Sequence, residues 1–122
     1  MSQVKAKLRS QEYATWAYAK VNELKKETQA KEKDLKELKS HIRRLPSVIQ
    51  ASGLAQTLLF YGKKHEAIAT ALAEHLTKNK DISECVKELC NKDASEYRLL
   101  TREAMELAQW LKRFAEVMLE GD

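Results

Sequence analysis

The sequence predicts an all-α fold, a compact bundle of about five to six helices with a long C-terminal helix. Apolar residues recur at spacings of three and four along the chain, and no segment shows the alternation typical of a strand. Only 3 Gly and 1 Pro occur in 122 residues, and 33% of the residues are charged, which argues against a β-rich fold and against disorder. The length predicts one helical domain over residues 1–122.

The first part of the chain predicts two long helices. A helix over residues 4–27 has an apolar face that we expect to pack against the core, formed by Ala14, Ala17, Tyr18, Val21 and Leu24. Residues 28–44 predict a second helix with a basic, solvated face and an apolar stripe of Leu35, Leu38, Ile42 and Leu45. Whether a turn separates the two helices near residues 28–32 stays open, because neither Gly nor Pro occurs there.

The middle of the chain contains two residues that commonly interrupt helices, Pro46 and Gly53. Pro46 disfavours a helical Leu45 and suits the first position of a helix, so we expect a break at Leu45 and a short helix over residues 46–52. Gly53 is expected to take a positive φ that ends this helix. Residues 54–61 form the most continuously apolar segment, so Leu58 and Phe60 are predicted to be buried.

The rest of the chain predicts one medium, one short and one long helix. Apolar residues from Ala67 to Leu76 follow a helical spacing that ends near residues 78–80. Asp81 and Asp93 each precede a glutamate by three residues, which predicts a helix start at both aspartates. The helix after Asp93 extends to about residue 119, with a core stripe of Tyr97, Leu100, Ala104, Leu107, Leu111, Phe114 and Met118.

The sequence shows no pattern typical of a catalytic or metal site. Cys85 and Cys90 are interpreted as core thiols, and the three histidines as isolated from one another. The zinc-protease pattern that begins at His65 lacks its second histidine, and no glycine-rich phosphate loop occurs. We therefore expect no enzyme activity, cofactor or metal. A metal-dependent nuclease would need clustered acids that the spacing does not show.

The hydropathy of the chain argues against a membrane location. No run of 18 apolar residues occurs, and residues 1–7 are too polar for the core of a signal peptide. We therefore expect a cytoplasmic protein with no membrane partner.

The net charge of +4 is unevenly distributed. Residues 1–64 contain 14 Lys/Arg against 6 Asp/Glu, which gives +8, and residues 65–122 contain 8 against 12, which gives −4. A polyanion such as nucleic acid would be attracted to the basic half. A charge-dense thermophilic surface would show a similar count without such a partner.

Two helix faces combine cations in a way that suits phosphate contacts. On the last helix, a sector of about 100° opposite the core stripe contains Arg98, Arg102, Gln109, Lys112 and Arg113. On the first helix, one side contains Lys5, Arg9, Trp16 and Lys20. The alternative is a solvated face whose arginines pair with acids one turn away, such as Arg102 with Glu106 and Arg113 with Gln109 or Glu116. Trp16 and Trp110 would then be packing residues.

Several segments resemble a known family. They are LPSVIQASGLAQTLLFY at 45–61, YRLLTREA at 97–104, WLKRFA at 110–115, and the spacing from Arg9 to Ala14 that leads into residues 17–21. In this order they are similar to the small subunit of the type III-B CRISPR effector, subunit five of the Cmr complex. The resemblance covers nearly the whole chain and leaves only residues 25–40 and 77–94 as variable.

The resemblance implies an all-α bundle without catalytic activity, in a row of small subunits beside the guide-carrying backbone. It implies that the partners are the other Cmr subunits, further copies of this chain, the guide RNA and the target RNA. The basic positions that match the family, and are thus candidates for nucleic-acid binding, are Arg9, Lys20, Arg43, Arg44, Arg98, Arg102, Lys112 and Arg113. A helical adaptor that binds only protein remains the alternative.

Overall fold

The computed structural model of the chain describes residues 8–28 and 32–119. Within these ranges it contains six helices and no strand, which confirms the predicted fold class and the long C-terminal helix. The helices are α1 (Arg9–Glu27), α2 (Glu32–Ser52), α3 (Leu54–Lys64), α4 (Glu66–Thr77), α5 (Ile82–Cys90) and α6 (Ala94–Met118). No helix in the described ranges is both long enough and apolar enough to cross a bilayer.

Helix α6 packs most extensively against α2 and α1. Arg43 of α2 forms an ion pair with Glu116 near the end of α6, whereas the N–H of Ala55, just after α2, donates to the hydroxyl of Tyr97 near the start of α6. Helix α2 therefore runs antiparallel to α6. Helices α3, α4 and α5 pack against one another, and buried residues from all six helices form one hydrophobic cluster.

Helix α1 differs from its prediction at its start and on its apolar face. The predicted start at residue 4 lies outside the described residues, and Leu8 is extended, with its N–H donating to Gln11 Oε1 over 2.8 Å. Ala17, Val21 and Leu24 are buried as predicted. The prediction for Tyr18 was wrong, because this residue is 53% exposed. Tyr13 is buried instead, since it lies one turn before Ala17 on the buried face, and its hydroxyl donates to Glu103 of α6.

The predicted break at Leu45 was wrong. Helix α2 continues through Pro46 to Ser52, and the stripe of Ile42, Leu45 and Ile49 is buried on both sides of the proline. Proline inside a helix costs about 3 kcal/mol, which the burial of this stripe offsets. Pro46 has no N–H to donate to the carbonyl of Ile42, four residues earlier. The hydroxyl of Tyr61 donates to the adjacent carbonyl, His41 O, over 2.7 Å.

Gly53 separates α2 from α3 and has φ 86°, which confirms the predicted positive φ. Leu58 is fully buried as predicted, but the prediction for Phe60 was wrong because 48% of its surface is exposed. A helix buries one side only, and α3 turns Leu54, Leu58 and Tyr61 inward. A continuous apolar run therefore also places apolar residues on the solvent side.

The predicted helix starts at Asp81 and Asp93 are confirmed. The Asp81 carboxylate accepts the N–H of Glu84 over 3.1 Å, and that of Asp93 accepts the N–H of Glu96 over 2.9 Å. Helix α6 then runs to Met118, close to the predicted end. Cys85 is buried and burial raises the pKa of its thiol, but Cys90 is exposed, so the prediction of a core thiol was wrong for Cys90.

Candidate nucleic-acid interface

Three of the candidate cations meet where α2 and α6 pack together. Arg43, Arg44 and Lys112, with Ser40, line a shallow depression of about 230 Å³. None of the residues lining it is acidic, so a phosphate placed there would meet cations and a hydroxyl group. The antiparallel packing of α2 on α6 creates this surface from residues that are about seventy positions apart in sequence.

The cations of this depression have different neighbours. Arg43 Nε lies 3.4 Å from Glu116 Oε2, so part of its charge is offset. Arg44 contacts His41 Nδ1 over 2.8 Å through its guanidinium group. That contact requires Nδ1 to accept a hydrogen bond, which a neutral imidazole can do. Arg44 and Lys112 form no ion pair with any carboxylate in the described part of the chain, so they are the cations most available for an anion.

The remaining candidates on α6 extend the basic surface away from the depression. Arg98, Arg102 and Arg113 are exposed. Within residues 8–28 and 32–119 they form none of the ion pairs that the alternative interpretation offered, and Glu116 contacts Arg43 instead. Their charges are therefore solvated rather than tied to acids one turn away.

The candidates on α1 lie in different surroundings. Arg9 is exposed at the first residue of the helix, and Lys5 lies outside the described residues. Lys20 is largely covered and its Nζ is 3.5 Å from Glu23 Oε1. Lys20 also lines a groove of about 330 Å³ between α1 and α4 whose acidic residues are Glu23, Glu27, Glu66 and Glu74. This acidic groove is unfavourable for a phosphate.

Trp16 and His75 belong to a polar network that joins three helices. The Tyr13 hydroxyl donates to Glu103 Oε2 over 3.0 Å, and His75 Nε2 lies 3.4 Å from the same oxygen. The Trp16 ring packs edge to face on His75 with ring centroids 5.0 Å apart. Burial, followed by the hydrogen bond to Glu103, raises the pKa of Tyr13 to about 12. Trp16 is therefore a packing residue, as the alternative interpretation had it.

The interpretation of the histidines as isolated was wrong for two of them. The rings of His41 and His65 stack with centroids 3.5 Å apart. Burial, followed by the Arg44 charge for His41 and the His41 charge for His65, lowers the pKa of both imidazoles. Sequence spacing does not reveal this contact, because α2 and the α3–α4 junction bring the rings together. No group of three or more His, Cys, Asp or Glu in the described ranges is placed to hold a metal ion.

Fold and surface together define a small all-helical protein with a cation-lined depression between its two longest helices. Comparison with known proteins is more specific. Residues 9–118 match the family described as CRISPR-associated protein (Cas_Cmr5). The chain therefore belongs to the Cmr5 family, and the resemblance to the small subunit of type III-B CRISPR effectors is confirmed.

Individual relatives agree with this family. The protein named CRISPR system Cmr subunit Cmr5 of Thermus thermophilus is 34% identical over 116 residues, which cover 92% of this chain and 96% of the relative. The protein of the same name from Thermotoga maritima is 36% identical over 85 residues, 66% of each chain. The crystal structure of a Cmr5 family protein from Thermus thermophilus matches with a TM-score of 0.73 and 32% identity, over 93% of this chain and 100% of that one.

Proposed function

We propose that this chain is a non-catalytic small subunit of the Cmr complex, a type III-B RNA-guided effector of antiviral defence in the cytoplasm. We further propose that it helps to hold target RNA through phosphate contacts that do not depend on sequence. Its partners would be the other Cmr subunits, further copies of itself, the guide RNA and the target RNA. The family of the chain supports the place in the complex. The cation-lined depression between α2 and α6 supports the RNA contact.

The physical requirement for such a role is modest. In RNA-guided complexes base pairing with the guide reads the sequence, so the protein has only to stabilise the backbone of the strand. Lysine and arginine side chains do this by displacing counterions from phosphates, and the affinity then falls with salt concentration. A shallow, cationic surface without a base-reading pocket meets that requirement.

The candidate cations do not contribute equally to this proposal. Arg44 and Lys112 form its centre, with Arg43 beside them, because their charges meet in one depression. Arg98, Arg102 and Arg113 would extend the contact along α6. Arg9 and Lys20 lie outside this surface, and the glutamates around Lys20 make it the weakest candidate.

A protein-binding adaptor is the second candidate function, and one observation favours it. On α1 and α6 the Tyr18 ring packs edge to face on Phe114 with centroids 5.7 Å apart, and Trp110 stacks on Phe114 at 5.8 Å. Val117, on the same side of α6, is 83% exposed. A partly exposed aromatic cluster beside an exposed valine is typical of a protein contact surface.

Removing the two cations without carboxylate partners tests the RNA contact. Arg44→Gln combined with Lys112→Gln should weaken the binding of single-stranded RNA, measured by fluorescence anisotropy across about 50 to 200 mM salt. Each phosphate contact on a single strand contributes about 0.7 to the slope of log affinity against log salt, so the slope should fall by about 1.4. Helix content should not change, because both side chains project from the surface.

The matched control is Lys26→Gln combined with Lys87→Gln, which removes the same charge at two exposed positions outside the depression. An equal loss of slope in the control would show that net charge, and not the depression, binds RNA. If both double variants bind RNA like the parent while the Arg44 and Lys112 variant no longer assembles with the other Cmr subunits, the adaptor function is correct.

A further inference from the structure

A groove between α2 and α3 continues the cation-lined depression. It has a volume of about 320 Å³ and runs beside the turn at Gly53. The residues from α2 that line it are spaced one helical turn apart. The residues from α3 are on the exposed side of that helix, except for the buried Tyr61. The lining residues are Arg44, Val48, Ser52, Gln56, Phe60 and Tyr61.

The most unusual residue of this groove is Phe60. It is 48% exposed, although α3 has a well-formed apolar side that buries Leu58 and Tyr61. The Tyr61 ring packs against it edge to face with centroids 5.8 Å apart. Lys64 Nζ lies over the face of the Phe60 ring, 5.9 Å from its centre. An aromatic surface is therefore presented to solvent beside a cation.

Arg44 is the one charged residue among the described residues that line the groove. Arg44 lines both the groove and the depression that contains Arg43 and Lys112. Lys63 and Lys64 are exposed at the end of α3 next to Phe60, and none of the residues that line the groove is acidic. An occupant with an anionic backbone and flat apolar rings complements this surface, whereas an apolar protein segment would leave Arg44 and the polar groups of Ser52 and Gln56 desolvated.

We propose that this groove binds unpaired nucleotides of an RNA strand, with a base stacked on Phe60 and the adjoining phosphate beside Arg44. The proposal rests on the proposed function, since the strand would enter from the depression between α2 and α6. Every base has a π face, so stacking on an aromatic ring is tolerant of sequence. A base inside a duplex has no free face, and the groove therefore selects single-stranded segments.

Phe60→Leu tests this proposal, because leucine keeps the apolar bulk and removes the aromatic face. The probe is a short single-stranded RNA with 2-aminopurine in place of one adenine, whose fluorescence falls when the base stacks. The variant should bind this RNA about fivefold or more weakly, as expected for the loss of one base stack. Its salt slope should not change, and the fluorescence quenching should be lost. Binding of a duplex RNA should stay at the parent level.

Tyr18→Leu is the matched control, since Tyr18 is also a half-exposed aromatic residue but lies on α1. It should leave all four readings unchanged, and Phe60→Tyr should retain binding because it keeps an aromatic ring. An RNA with abasic sites tests the parent protein directly and should also bind more weakly. The proposal is overturned if Phe60→Leu keeps the parent affinity and quenching while Arg44→Gln with Lys112→Gln weakens binding; the proposed function then survives.

Two further outcomes separate the proposals. If the parent protein shows no salt-dependent RNA binding, the proposed function fails and the stacking site fails with it. If Phe60→Leu binds RNA normally but no longer assembles with the other subunits, the groove holds a protein segment and the stacking site is refuted.

Discussion

Leu58 and Phe60 are close neighbours on α3 with opposite surroundings, and truncating each to alanine tests the orientation of that helix. Leu58 has 0% of its surface exposed and Phe60 has 48%. Leu58→Ala removes buried carbon atoms and leaves a cavity, so the free energy of unfolding should fall by about 2 to 5 kcal/mol. Full burial of a phenylalanine contributes about 1.5 to 3 kcal/mol, and half of that is about 1 kcal/mol. Phe60→Ala should therefore cost about 1 kcal/mol.

Urea unfolding followed by far-ultraviolet circular dichroism measures both losses under the same conditions. For a domain of this size, about 1 kcal/mol corresponds to a shift in Tm of about 4 °C. In thermal unfolding followed by the same signal, Leu58→Ala should then lower the Tm by about 8 to 20 °C and Phe60→Ala by about 4 °C. The unfolding slope should stay the same in both variants, since neither changes the surface exposed on unfolding by much.

Equal losses for the two variants, or a larger loss for Phe60→Ala, would refute the orientation of α3 described above. Ile49→Ala provides a reference, because Ile49 is buried on α2 and should also lose about 2 to 5 kcal/mol. A small loss at Leu58 with a normal loss at Ile49 would place the error in α3 alone.

Three further predictions concern the turn, the histidine pair and the three-helix network. Gly53→Val should lower the free energy of unfolding by about 1 to 3 kcal/mol. Gly53→Ala should show much of this loss, because no atom lies within 4 Å of an added Cβ and the cost is therefore backbone strain. Urea unfolding that shows Gly53→Ala at parent stability would contradict this. The pKa of His41 and of His65 is lowered in the folded state, so the unfolded state binds more protons. The free energy of unfolding should therefore be constant above about pH 6.5 and fall as the pH drops through the folded pKa values. Urea unfolding between about pH 5 and 8 measures this, and His41→Gln should flatten the dependence; an unchanged slope in that variant would refute the assignment. Tyr13→Phe removes the hydrogen bond to Glu103 and should cost about 1 kcal/mol by the same measurement, whereas an unchanged stability would show that this bond contributes nothing.

The helices could be predicted from the sequence because their signals are local. Apolar spacing indicated the helical segments, although it left open whether α1 and α2 are separate and it divided α2 at Pro46. The side chains of Asp81 and Asp93 cap the helices that they were expected to begin. The errors arose where tertiary packing overrides a local rule. Pro46 was expected to end a helix, but the buried stripe on both sides of it keeps α2 continuous. Phe60 was expected in the core because an apolar run does not show which of its residues turn inward.

The candidate site could be predicted only as a list of cations. Periodicity placed Lys112 and Arg98 on one sector of α6, but it did not show that Arg43 and Arg44 approach Lys112. That contact depends on the antiparallel packing of α2 on α6. The stack of His41 on His65 was missed for the same reason. Contacts between helices depend on how the helices pack, which the spacing within one helix does not encode.

The distribution of charge in space differs from its distribution along the chain, and this difference bears on the direction from which RNA would approach. The basic half of the sequence contributes Arg43 and Arg44 to the depression, but it also contributes Glu23 and Glu27 to the acidic groove between α1 and α4. At physiological salt a charge acts over about 8 Å, so local clusters rather than the net charge of +4 determine where a polyanion is attracted. The α2–α6 surface would attract a phosphate backbone, whereas the acidic groove would repel it. A strand held by this protein would therefore lie along the α2–α6 surface and not across the acidic groove.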